Sequence, residues 1–197
     1  MQQPAYHTLE EYIELLPEPN RDAASRLWHD HEELFENAKG SGSKHQAWQG
    51  GYRDHVTEAC NIAQLLYTPM QSTGRPLSFS LEDAVLVLFL HDIEKPFKQA
   101  KIVPRLEHNG AKDKTVIAAF KEDLIKKYNF ALNEQHWNAL HYAEGEGDDY
   151  DPQKRVMGPL AAFVHTCDVI SARIYHEHPG VHDMWEGAHR RTVERRQ

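Results

Sequence analysis

Apolar positions along this chain recur mostly at the three-to-four-residue spacing of helices buried on one face. Tyr12, Ile13, Leu15 and Leu16 follow Thr8 and Glu11, a pairing that predicts a capping box at the head of a short helix. From Arg21 to Ala38, the residues Ala24, Leu27, Trp28 and Leu34 stand among charges, which reads as one amphipathic surface helix. Tyr52 to Tyr67 places His55, Ala59, Ile62, Ala63 and Leu66 at helical spacing. The segment from Ser80 to Glu94 is different. Its interior, Ala84-Val85-Leu86-Val87-Leu88-Phe89-Leu90, is apolar on every face, a pattern that a buried strand could share. Ser80 as a cap, acidic Glu82 and Asp83 in the first turn, and Pro96 as a stop predict a buried central helix instead. Ala111 to Tyr128, Asn133 to Tyr142 and Arg155 to His176 complete the set. No Asn-Gly or Asp-Gly hairpin joins two alternating runs, since Asn109-Gly110 lies beside a helix start. The expected fold is all-α, a single-domain helical bundle. Residues 1–44 are expected as N-terminal helices and a flexible loop, Lys39 to Lys44, packing on a core unit of 45–178, with 179–197 as a C-terminal tail.

Composition narrows the classes of function. The chain has 197 residues, 40% hydrophobic and 26% charged, enough apolar material for a packed core. Its formal charge of −8 speaks against a strong nucleic-acid surface, because phosphate backbones are held by clustered Lys and Arg. The longest apolar run, Ala84 to Leu90, is far short of the ~20 residues a bilayer span needs, so no membrane partner is expected. The start, Met1-Gln2-Gln3-Pro4-Ala5-Tyr6, resembles no signal peptide, and two cysteines, Cys60 and Cys167, do not make a disulfide scaffold. A cytoplasmic location is the resulting expectation. Asp148-Asp149-Tyr150-Asp151 reads as a solvated loop, and the basic residues from His189 to Arg196 as a solvated helix end. No glycine-rich phosphate loop and no Gly-x-Ser-x-Gly elbow occurs. What stands out is fourteen histidines.

His91-Asp92 lies at the end of the most apolar helix, where charged and titratable groups are costly unless paired or metal-bound. His55 lies upstream on an amphipathic helix, and Asp168 lies downstream inside another apolar helix, flanked by Cys167, Val169 and Ile170. A carboxylate in such a helix needs a partner. Between them come His108, in the polar stretch Arg105 to Gly110, and His141. His136 competes with His141, but the two point about 140° apart on a helix. His141 is preferred because it precedes the Glu144-Gly145-Glu146-Gly147 loop. Mixed nitrogen and oxygen donors suit transition metals such as iron, manganese, nickel or zinc, with magnesium also open. Lys95 lies three residues past Asp92, directly before Pro96. His165, three residues before Asp168, shares its helix face, and Arg173 lies further along the same helix.

The order His, His-Asp, His, His, Asp resembles the HD-domain superfamily of metal-dependent phosphohydrolases. Gly50-Gly51-Tyr52-Arg53-Asp54-His55 is similar to the Gly-Gly-x-x-x-His of several branches. His91-Asp92-Ile93-Glu94-Lys95-Pro96 is similar to the family's His-Asp-Ile-Gly-Lys-Pro, with Glu94 where Gly is common. The resemblance covers roughly Trp48 to Tyr175. It implies an HD-type helical bundle in which His55, His91, Asp92 and Asp168 bind one divalent ion. In branches with a second ion, the matching positions are His108 and His141, with Asp92 shared between the two. It implies Asp92 and Lys95 as catalytic residues, with Lys95, His165 and Arg173 available to a small phosphorylated substrate, most simply a nucleotide. Phosphomonoester cleavage, phosphodiester cleavage and deoxynucleotide triphosphohydrolysis all stay open, as does assembly into a homo-oligomer. The Gly-Tyr-Pro signature and paired His-His of the cyclic-dinucleotide branch are lacking. Two other readings of the same residues remain: a di-iron oxygenase of this fold, and a degenerate nucleotide-binding sensor.

Overall fold

The computed structural model describes residues 4–103 and 114–174, so His108 and the tail at 179–197 lie outside the described residues. The protein is all-α, with no strand among the described residues. In order come α1 (Leu9–Leu15), α2 (Asn20–Asp30), α3 (Glu32–Asn37), α4 (Gly51–Gln71), α5 (Leu81–Leu90), α6 (Glu94–Gln99), α7 (Lys114–Tyr128), α8 (Glu134–His141) and α9 (Pro159–Arg173). A 3-10 turn, Gly147–Asp149, lies between the last two. None of these helices is long and apolar enough to cross a membrane.

The all-round apolar run behaves as a central helix. Every residue from Ala84 to Leu90 is buried, and α5 packs against α4, α8 and α9. Removing each large side chain from water is worth roughly 1.5–3 kcal/mol, so this helix carries much of the core. Its start is fixed by a capping box: the Ser80 hydroxyl accepts from the Asp83 N–H at 3.1 Å, and the Asp83 carboxylate accepts from the Ser80 N–H at 2.8 Å. The same box forms at Thr8 and Glu11 on α1. Arg53 of α4 reaches Glu10 of α1 at 2.7 Å and also pairs with Glu36 of α3, fastening the N-terminal helices to the rest.

Three local differences from the sequence pattern have physical causes. The stretch expected as one helix from Arg21 to Ala38 breaks at His31, whose backbone leaves the helical region (φ −130°, ψ 20°) while its ring packs edge-on against Phe97. The helix expected to reach Glu94 ends at Leu90, and the chain tightens through i→i−3 bonds from Ile93 to Leu90 and from Lys95 to Asp92. Pro96 does not stop it: the proline lies in the first turn of α6, where an amide has no intrahelical acceptor to lose. Third, the stretch expected as a flexible loop at Lys39 to Lys44 forms a hydrogen-bonded turn. The Ser41 hydroxyl accepts from the N–H groups of Lys44 and His45, both at 2.8 Å, and Gly40 N–H donates to Gln46 O at 2.9 Å.

The Gly50-Gly51 step now has a physical basis. Gly50 adopts a left-handed conformation (φ 75°), which favours glycine. At Gly51 a Cβ would collide with the carbonyl oxygen of Gln46, so the turn can close on the head of α4 only if that position has no side chain.

Candidate metal centre

Three segments deliver the cluster. The early part of α4 supplies His55, the tightened α5–α6 junction supplies His91 and Asp92, and α9 supplies Asp168. α4 lies against both α5 and α9, which explains why residues so distant in sequence converge. One ligand atom each from His55, His91 and Asp168 lie within 4.8 Å of one another. His55 Nε2 is 3.0 Å from Asp168 Oδ1 and 3.7 Å from Asp92 Oδ2. His91 Nε2 is 3.3 Å from Asp92 Oδ2 and 3.6 Å from Asp168 Oδ1. Lys95 Nζ closes on the same Asp92 oxygen. His55, His91 and Asp92 are buried, while the Asp168 side chain keeps 17% exposure and marks the side open to solvent.

The donor chemistry fits a cation. His91 Nδ1 donates to the Leu88 carbonyl at 2.7 Å, and His55 Nδ1 meets the Ser171 hydroxyl at 3.0 Å. In each ring the other nitrogen, Nε2, is buried without a hydrogen-bond partner despite the nearby carboxylates. Two orphaned imidazole nitrogens facing two carboxylate oxygens form a mixed N/O set of the kind transition metals take. Histidine ligands are commonly oriented in this way, by a hydrogen bond at the far ring nitrogen.

Electrostatics follow from this crowding. Burial pushes the His55 imidazole below its ordinary range. Burial acts on His91 in the same direction, but the charges of Asp92 and Asp168 outweigh it and lift that ring to about 10. Burial disfavours the Asp92 and Asp168 carboxylates, yet His91 and Lys95 hold Asp92 well below the usual range, and His55 and His91 do the same for Asp168. Lys95 is held above its ordinary value because Asp92 outweighs the burial.

Other sequence candidates lie elsewhere. His141, at the end of α8, has a side chain 66% exposed, with Nε2 3.1 Å from Asp149 Oδ2; the structure does not bring it to the cluster. Its competitor His136 is buried against Asp83 at 2.8 Å, joining α8 to the cap of α5. His165 is half-buried, its Nδ1 donating to Ala143 O at 2.8 Å, which ties α9 to the loop after α8. Arg173 is exposed in the last turn of α9, with no ion pair among the described residues. Cys60 and Cys167 are buried free thiols, and burial raises both.

Sequence reasoning missed four neighbours of the cluster. The His45 ring lies 4.8 Å from that of His55, centroid to centroid. Gln46 and Ser171 are buried behind His55. Lys121 of α7 donates to the His91 carbonyl and pairs with Glu94 at 3.3 Å, bracing the junction from outside. The Gly-Gly step was the one available signal, since it marks a close approach by the residues just before it.

No family model matches the chain, and neither does any curated protein or solved structure.

Proposed function

We propose that the protein is a metal-dependent phosphohydrolase acting on a nucleotide or another small phosphorylated metabolite. The observation that carries this reading is the pair of orphaned, buried Nε2 atoms of His55 and His91 facing the carboxylates of Asp92 and Asp168. The HD-type order of the same four residues supports it. His55, His91, Asp92 and Asp168 would hold a divalent ion. When bound, such an ion supplies positive charge that polarises a phosphoryl oxygen and makes water a better nucleophile.

The chain's own residues contribute the rest. Lys95 keeps its ammonium at the edge of the cluster, 23% exposed, where it can neutralise phosphoryl oxygens. Asp92 holds Lys95 there in the absence of substrate. The apolar residues of α5 keep water from the back of the cluster, which strengthens charge interactions within it. In the net reaction, water adds to phosphorus, the P–O ester bond breaks, and the leaving oxygen takes up a proton.

The test is a phosphate-release screen over nucleotides and aryl phosphates. Protein stripped of metal would be reloaded with manganese, iron, nickel, zinc or magnesium, and oxygen consumption followed in parallel. Metal-dependent phosphate release without oxygen uptake is expected. Oxygen uptake without phosphate release would assign the site to oxygenase chemistry and overturn the reading.

A further inference from the structure

His55 is braced from behind by residues that neither the helical pattern nor the His/Asp order singles out. The Gln46 side chain is buried, and its Nε2 lies 3.1 Å from the Ser171 carbonyl and 3.4 Å from the Ser171 hydroxyl. A carbonyl only accepts, so the amide nitrogen faces Ser171 and the amide oxygen faces the other way. That oxygen is 2.7 Å from His45 Nδ1, which must therefore carry the proton in this contact. The Ser171 hydroxyl is 3.5 Å from the His55 backbone carbonyl, in donor geometry. Its one proton placed there leaves its lone pairs to accept from Gln46 Nε2–H and, at 3.0 Å, from His55 Nδ1–H. In this assignment Gln46 and His55 both donate to the Ser171 hydroxyl, which leaves the His55 Nε2 lone pair directed at the cluster.

The backbone is built to seat this amide. Gln46 occupies the left-handed region (φ 38°), uncommon for a residue with a side chain, and its carbonyl occupies the space a Cβ on Gly51 would need. The Ser41-centred turn holds the residue from the other side, with the Ser41 hydroxyl donating to His45 O at 3.0 Å. A strained, buried, fully bonded glutamine at the entrance to the ligand-bearing helix calls for a role.

We propose that Gln46 and Ser171 are positioning residues that fix the His55 ring with Nδ1 as donor and Nε2 as metal ligand, and that the Gly50-Gly51 step exists to admit Gln46. The role rests on the metal-site reading above. It makes the segment around residue 46, remote from the other ligands in sequence, part of the site's metal affinity.

The test compares divalent-ion affinity, by calorimetry with manganese and zinc, for the wild type, Ser171→Ala, Ser171→Thr and Gln46→Glu. Thermal melting of each metal-free protein separates a fold defect from a site defect. Ser171→Ala and Gln46→Glu, which replaces the donating amide by an acceptor, should each weaken binding by about 10- to 100-fold, as removal of a ligand's supporting hydrogen bond typically does. Ser171→Thr, which keeps the hydroxyl, should restore binding to near the wild-type level. In the zinc-loaded wild type the His55 Nδ1 proton should be protected from exchange, and that protection should be lost in Ser171→Ala. Wild-type affinity in Ser171→Ala, together with a still-protected proton, would overturn the brace while leaving the metal site intact. A wild type that binds no divalent ion would overturn the metal reading, and this role with it.

Discussion

Lys95 and Asp92 form an ion pair on the very carboxylate oxygen that His91 Nε2 faces at 3.3 Å. The lysine therefore stands where a bound cation would compete with it for Asp92. Two like charges on one carboxylate repel, so loading the site should free Lys95 for an anionic substrate.

From this follows an expectation for Lys95→Ala. The variant should bind a divalent ion at least as tightly as the wild type, because a competing positive charge is gone. Its hydrolysis rate should fall roughly 10²-fold, as when one electrostatic stabiliser is removed. Calorimetry and steady-state kinetics check both halves; weaker metal binding would make Lys95 a structural support instead.

Proton release should accompany metal binding. In the metal-free protein His91 is lifted to about 10, so it is protonated at neutral pH, whereas a ligand must be neutral. Binding near pH 7.5 should release about one proton per ion, and affinity should rise with pH until about 10. Titrations in buffers of different ionisation enthalpy measure the count. The sign for stability is opposite. A raised pKa stabilises the metal-free fold below the ordinary histidine range near 6.5, and that contribution is lost as pH climbs through about 10. Metal-free protein melting at a higher temperature at pH 10 than at pH 7 would contradict the assignment.

His141→Ala should leave metal content unchanged and hydrolysis within about twofold of the wild type. Its contact with Asp149 is solvent-exposed, and such pairs contribute little, about 0–1 kcal/mol. Elemental analysis of the loaded variant is the check; loss of an ion would return His141 to the site.

Gly51→Ala should destabilise the protein by about 1–3 kcal/mol, since the added methyl forces the Gln46 carbonyl out of place. Denaturant unfolding measures this. Gly42→Ala, where a Cβ meets nothing within 4 Å, is the matched control and should be near neutral. Equal stability of the two variants would remove the packing explanation for the Gly-Gly step.

Helices and their caps were legible because they depend on neighbours in sequence. The Thr8–Glu11 and Ser80 caps and the burial of Ala84 to Leu90 follow from local chemistry and spacing. The break at His31 was not legible, because no proline or glycine interrupts the stretch from Arg21 to Ala38 and the ring contact with Phe97 is tertiary. The convergence of His55, His91, Asp92 and Asp168 was anticipated from their order and from the apolar helices that carry His91-Asp92 and Asp168, where a titratable group demands a partner. Their supports were not. Gln46, Ser171 and Lys121 are ordinary polar residues in sequence, and only the packing of the turn, α9 and α7 around the cluster gives them partners. His141 was preferred because its position before a glycine-containing loop suggested a cleft; in the structure its ring is largely exposed and meets Asp149.

The most direct measurement is the divalent-metal content of purified protein after loading and desalting, for the wild type and for His91→Ala and Asp168→Ala, each verified as folded by circular dichroism. The wild type should retain an ion held by His55, His91, Asp92 and Asp168, and both folded variants should lose it, with metal-dependent phosphate release vanishing in parallel. A wild type that retains no ion, or folded variants that retain it in full, would contradict the assignment of this cluster as a metal centre.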